Sequence, residues 1–99
     1  MAFTQTIAFS TSKYDEMQQM MDEFSAQQSD PAPGFRGIKI LKDRDHENTY
    51  LVVAEFDSYE LAMENSKRPE TDAFAKRMAA MADGPPAFGN FDVVHEETP

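Results

Sequence analysis

An α+β fold, with a four-stranded antiparallel sheet carrying two helices on one face, is predicted by three features of this sequence. Short β-rich runs alternate with helix-period runs in the order β-α-β-β-α-β. Two of these runs, FRGIKIL (35–41) and TYLVVAEF (49–56), flank the charged connector KDRDHEN, the pattern of a hairpin with a medium-length loop. The second run is apolar on both faces, with Leu51 and Val53 on one and Tyr50, Val52, Ala54 and Phe56 on the other. Such a strand needs two covers. A helical layer supplies one, and a chain this short must draw the other from a second copy of itself.

The 99 residues set the expectation of one domain spanning 1–99. A hydrophobic fraction of 40% fits a globular chain and excludes wholesale disorder. Apolar runs fall well short of the roughly 20 residues that span a bilayer, and no basic-then-apolar leader is visible. Cysteine is absent, which removes disulfides, thiolate nucleophiles and thiolate metal sites. These features set the expectation of a cytoplasmic protein. The net charge of -9, with no basic stripe, argues against nucleic acid and anionic membranes as partners and fits a neutral or apolar ligand.

The first strand is placed at Ala2–Phe9, with Phe3, Gln5, Ile7 and Phe9 on one face and Thr4, Thr6 and Ala8 on the other. Ser12 is positioned to cap a helix, with Asp15 three residues on. Tyr14, Met17, Met21, Phe24 and Gln28 recur at helical spacing, and Met20 widens the apolar part of that stripe. Pro31, Pro33 and Gly34 end this helix after about four turns. The hairpin follows, its polar tip Asp43–Asn48 expected in water. Depending on register, Ile38, Ile40, Leu51 or Val52 supplies the apolar side turned away from the helices, and the threonines of strand one sit near an edge or line a cavity.

Asp57 or Ser58 caps the second helix, with Leu61, Ala62 and Asn65 near one face. Pro69 lacks an amide donor and breaks the pattern near Lys67–Pro69, so a new helical segment starts there with Phe74, Met78 and Met81 aligned. DGPP (83–86) stops it, and AFGNFDVVH, Ala87–His95, reads as the last strand. The order is that of the split βαβ, or ferredoxin-like, arrangement.

With these elements in place, the chain resembles the dimeric α/β-barrel superfamily, and within it the small antibiotic-biosynthesis-monooxygenase-like proteins. The resemblance is carried by PGF before the second strand, by TYLVVAEFDSYELAMENSKRPETDAF and by the closing FGNFDVV, and it covers nearly all of the chain. It implies a homodimer whose sheets pack face to face to close a barrel, with a ligand cleft between sheet and helices in each protomer. Activities in that superfamily include cofactor-independent oxygenation of quinol-like aromatics, haem degradation, isomerisation and dehydration. Two of its frequent marks, a tryptophan ending the third strand and a histidine in the second helix, are replaced here by Phe56 and Asn65. Strand one also lacks the asparagine of haem-degrading relatives, so the haem pattern is not met.

Asn65 is then a candidate catalytic residue. If it faces the sheet, it places a donor and an acceptor in an apolar cleft; the plain alternative is a helix end bonded to local backbone. His95 is the candidate base, because histidine titrates near neutrality; the alternative is a surface histidine beside an acidic tail. Tyr59, Phe56, Phe74 and Phe24, with Arg36, are candidates for binding a flat apolar or aromatic molecule. Tyr14 and Tyr50 also offer a polar tip on an apolar ring, and Arg68 flanks the helix break. The 7 methionines either line that pocket or simply fill the core. His46 with Asp43, Asp45 and Glu47 is read as a solvated loop, so no metal and no other cofactor is expected. The expected function is a cofactor-independent monooxygenase, or related small enzyme, acting on an aromatic or polyketide-like substrate. The alternatives are a noncatalytic small-molecule-binding homodimer and a purely structural module.

Overall fold

The computed structural model describes residues 1–27 and 32–99. The elements are β1 (Phe3–Ser10), α1 (Tyr14–Gln27), β2 (Phe35–Lys42), β3 (Thr49–Phe56), α2 (Tyr59–Ser66), α3 (Pro69–Met81) and β4 (Ala87–Asp92). The strands form one antiparallel sheet in the order β2-β3-β1-β4. This is the predicted ferredoxin-like arrangement, with its second helix divided in two. Pro69 occupies the first turn of α3, where a missing amide costs nothing, and so fixes the division.

All three helices cover the same face. Phe9, Tyr50 and Val52 of the sheet pack with Met17 of α1, and Met78 and Met81 of α3 close over them. Phe3 and Phe56 pack with Ala62 of α2, and Met63 lies against that cluster. The helical stripe of α1 is therefore core, with Met17 and Met20 buried and Tyr14, Met21 and Phe24 half-buried. Gln28 and Pro31 lie outside the described residues.

Three expectations are corrected by local chemistry. The chain enters α1 through Thr11 rather than Ser12. Fully buried Thr11 accepts a hydrogen bond from the Lys13 amide (3.0 Å) and donates to the Met81 carbonyl (2.7 Å), tying the start of α1 to the end of α3. β4 stops at Asp92 rather than His95. After it the Val93 amide donates to the Ala2 carbonyl (2.9 Å) and the chain leaves the sheet. Register decides the face away from the helices: Ile38, Ile40 and Val52 lie on the helix side with Ala54, whereas Leu41, Leu51, Val53 and Phe91 lie on the open side. Because β1 is an inner strand, Thr4 and Thr6 sit in the middle of that open face and not at an edge.

Thr11→Val keeps shape and removes both hydrogen bonds, leaving the Met81 carbonyl and the Lys13 amide without their partner. The expected cost is about 1–3 kcal/mol, read as a lower urea midpoint at unchanged slope.

Candidate functional site

Directly opposed residues form rows across the helix side of the sheet, running from β2 to β4. One row is Phe35, Phe56, Phe3 and Asp92; the next is Ile38, Ala54, Gln5 and Asn90; the third is Ile40, Val52, Ile7 and Phe88. Opposed side chains in antiparallel strands stand roughly 4.5–5.5 Å apart at Cβ. The middle row therefore sets a methyl group and two carboxamides between rows dominated by rings and branched chains. The two buried clusters divide along it, one around Phe9 and Tyr50 and the other around Phe3 and Phe56.

The Asn90 end of this row opens into a concavity of about 520 Å³. Ser58, Tyr59 and Glu60 of the α2 start form one wall, Asn90 and Asp92 of β4 another, and Phe3 the floor. Ser58 is the N-cap of α2, its hydroxyl accepting from the Leu61 amide at 3.2 Å, and this fixes where Tyr59 leaves the helix. The Tyr59 ring meets Phe3 edge-on (centroids 5.3 Å apart, planes at 82°) and remains half exposed. Glu60 and Asp92 give the rim negative charge.

Asn65 lies in the last turn of α2, partly buried. Its main-chain carbonyl accepts from the Arg68 amide (3.1 Å) across the helix break, and its side-chain Oδ1 accepts from Thr71 Oγ1 (3.4 Å). The carboxamide nitrogen keeps its two donors for another partner. Arg68 is held by Glu70, with Nε 2.7 Å from Oε1. Phe24 and Phe74 stack across α1 and α3 with centroids 4.3 Å apart. Phe56 is buried and meets Phe35 edge-on.

Arg36 is the extra residue of a bulge between Phe35 and Gly37, and its Nε pairs with Asp57 Oδ1 at 2.8 Å on the sheet's end. His95 lies beyond β4 with its side chain 74% exposed, Nε2 2.8 Å from Glu97 Oε1. The structure thus groups Phe56 and Tyr59 around Phe3, joins Phe24 to Phe74, and leaves Arg36 and His95 at the periphery. His46 pairs with Asp43 at 3.0 Å on the hairpin tip. The Asp45 amide, chiefly, and then His46 hold the Asp43 carboxyl below its ordinary range.

At the far end of the sheet Tyr14 stacks on Tyr50 (4.4 Å), which stacks on Phe9 (5.6 Å). Burial pushes the Tyr14 hydroxyl's pKa up, with Tyr50, Asp22 and Asp15 adding to it. A raised tyrosine pKa favours the neutral folded form. That stability is present below the ordinary value of about 10 and is lost as pH rises through the folded one. Tyr14→Phe is expected to make the alkaline loss of stability shallower above that pH, as followed by urea melts across the range.

Gln5 and Asn90 were not among the residues singled out from sequence. The signal for Gln5 was its place as the sole polar member of Phe3-Gln5-Ile7-Phe9. For Asn90 there was none, since only register brings it beside Gln5.

The fold is ferredoxin-like, with a partly apolar concavity between β4 and the start of α2 that carries the Asn90 carboxamide. No family model matches the chain, and no curated protein sequence does. Solved structures do. SnoaB, a cofactor-independent oxygenase from Streptomyces nogalater, determined with one asparagine changed to alanine, superposes with a TM-score of 0.79 at 19% identity, covering 96% of this chain and 95% of that one. A candidate antibiotic biosynthesis monooxygenase from Caulobacter crescentus gives 0.80 at 16% identity over 95% and 91% of the two chains. Rv0793 from Mycobacterium tuberculosis gives 0.78 at 11% identity over 99% and 100%. The chain has the fold that these three structures share.

Proposed function

We propose that the chain is a cofactor-independent monooxygenase acting on an electron-rich, fused-ring hydroxyaromatic. The observation that carries this is Asn65, held at the helix break by Thr71 with its amide donors available and apolar side chains on the neighbouring elements. The ring system would lie over Ala54 and Gln5, beneath the break. Asn65 donates to the phenolic oxygen and stabilises the charge that develops as its proton leaves. Electron density at the ring carbon para to that oxygen then reacts with dioxygen. A C–O bond forms, the peroxide takes up a proton, and its O–O bond breaks as water departs with the ring hydrogen. For 1,5-dihydroxynaphthalene the balance is substrate plus dioxygen giving 5-hydroxy-1,4-naphthoquinone plus water.

The fold shared with an oxygenase that needs no cofactor supports this reading. So does the apolar setting, which strengthens each hydrogen bond to the anion. The enzyme works as a homodimer through the open sheet face, which would otherwise leave Leu41 and Phe91 about half exposed.

Oxygen uptake with 1,5-dihydroxynaphthalene tests the proposal. Asn65→Ala is expected to lower kcat by about 10- to 100-fold with a smaller change in KM, the pattern of a lost transition-state donor. His95→Ala decides the tail's part. Lost turnover makes His95 the base, and unchanged turnover means the proton goes to water. Stoichiometric binding of such phenols with no oxygen consumed would instead establish a binding protein.

A further inference from the structure

We infer that Gln5 and Asn90 form a paired carboxamide dock that selects ligands carrying two oxygens on one edge of a flat ring. This rests on the cleft reading above and extends it to the polar side chains of β1 and β4. The two residues are directly opposed on β1 and β4, so both side chains leave the same face of the sheet as neighbours. Gln5 is partly buried between Phe3 and Ile7, and Asn90 lines the open concavity. Among the described residues, neither side-chain amide takes part in a hydrogen bond to protein.

A lone polar residue on an otherwise core-forming face is disfavoured unless something pairs with it. Two adjacent carboxamides present two N–H₂ groups and two carbonyl oxygens. A ring edge with a carbonyl beside a hydroxyl matches them, since each of its oxygens accepts one N–H. Ala54 on the other side of Gln5 has only a methyl group, so the ring body can extend along the row over it once Met63, which packs on the same cluster, turns aside. A ligand with oxygen on only one carbon of that edge satisfies one amide and leaves the other desolvated. This makes the pair a device for discrimination more than for raw affinity.

The probes are 5-hydroxy-1,4-naphthoquinone, whose hydroxyl lies beside a carbonyl, and 1,4-naphthoquinone, which lacks it. Dissociation constants are measured by equilibrium dialysis for the native chain, Gln5→Leu and Asn90→Leu. The native chain is expected to prefer the hydroxyquinone by about 3- to 10-fold, the worth of one neutral hydrogen bond. Each leucine variant is expected to bring that ratio close to one while 1,4-naphthoquinone binding changes little. Leucine suits the apolar face at position 5, and Asn90 is exposed on an edge strand, so both variants should fold; a purely structural role would not move a ratio between two ligands. A preference that survives both substitutions overturns the assignment, as does equal binding of the two quinones by the native chain, and both results leave the cleft reading standing. Binding of neither quinone overturns the assignment and the cleft reading together.

Discussion

Val53→Asp is expected to be monomeric at concentrations where the proposed homodimer of the native chain forms. Val53 lies at the centre of the open sheet face, opposed to Thr6 on β1 and Lys39 on β2, with Leu51 two residues away and Leu41 beyond it. Phe91 extends the apolar surface at the other margin. A Cβ at Gly89 would come within 2.6 Å of the Phe91 ring and 2.5 Å of Thr6 Oγ1, so the glycine lets that ring lie down across the face. Lys39 and Glu55 give the same face one charge of each sign, which two copies related by a twofold axis can offer each other. Two such faces in contact would desolvate residue 53 in both protomers. A carboxylate buried there without a partner costs several kcal/mol, weakening association by more than about a thousandfold. Sedimentation velocity at tens of micromolar reads the result. A native chain that sediments as a monomer removes the sheet-to-sheet assembly, and a Val53→Asp chain that stays dimeric moves the interface elsewhere.

How much of this was legible in the sequence depends on the range of the interaction. The hairpin strands and the helix break were readable because each is set locally, by alternation, by a charged tip and by Pro69. Thr11 was not, since its reason for being buried is a carbonyl 70 residues away. The open face was left undecided for a similar reason. Ile38 and Ile40 look like the natural complement of Leu51, but Arg36 bulges out of β2 and the register set by that bulge turns both isoleucines to the helix side. The same dependence on register hid the Gln5–Asn90 pair, whose members are 85 residues apart in sequence, as their numbers show. Asn65 was singled out from its place in the second helix and from the family resemblance, whereas its Thr71 partner needed the geometry of the break. His95 drew attention as one of two histidines, a count that says nothing about where the tail goes.

Gly34→Ala is expected to cost about 2–4 kcal/mol, the sum of two separable effects. The first is conformational. Gly34 has φ +78, a left-handed value at which a side chain costs about 1 kcal/mol. The second is steric. The added Cβ would sit 2.5 Å from Leu61 Cδ1 and 3.1 Å from Leu61 Cβ. The methyl can rotate aside, but the Cβ moves only with α2, and overpacking of this kind costs roughly 1–3 kcal/mol. Neither effect can be relieved by shifting the turn, because the Gly34 carbonyl accepts from the Asp57 amide at 2.8 Å and Arg36 holds the Asp57 side chain. The turn before β2 is thus fastened to the loop that launches α2 and, with it, Ser58 and Tyr59 of the concavity. A double-mutant cycle separates the two effects. In a Leu61→Gly background, which removes the Leu61 Cβ as well as Cδ1, the steric part is expected to vanish, leaving a Gly34→Ala cost of about 1 kcal/mol. An equal cost in both backgrounds would mean that α2 does not press on Gly34, and the coupling between the turn and the cleft wall would have to be given up.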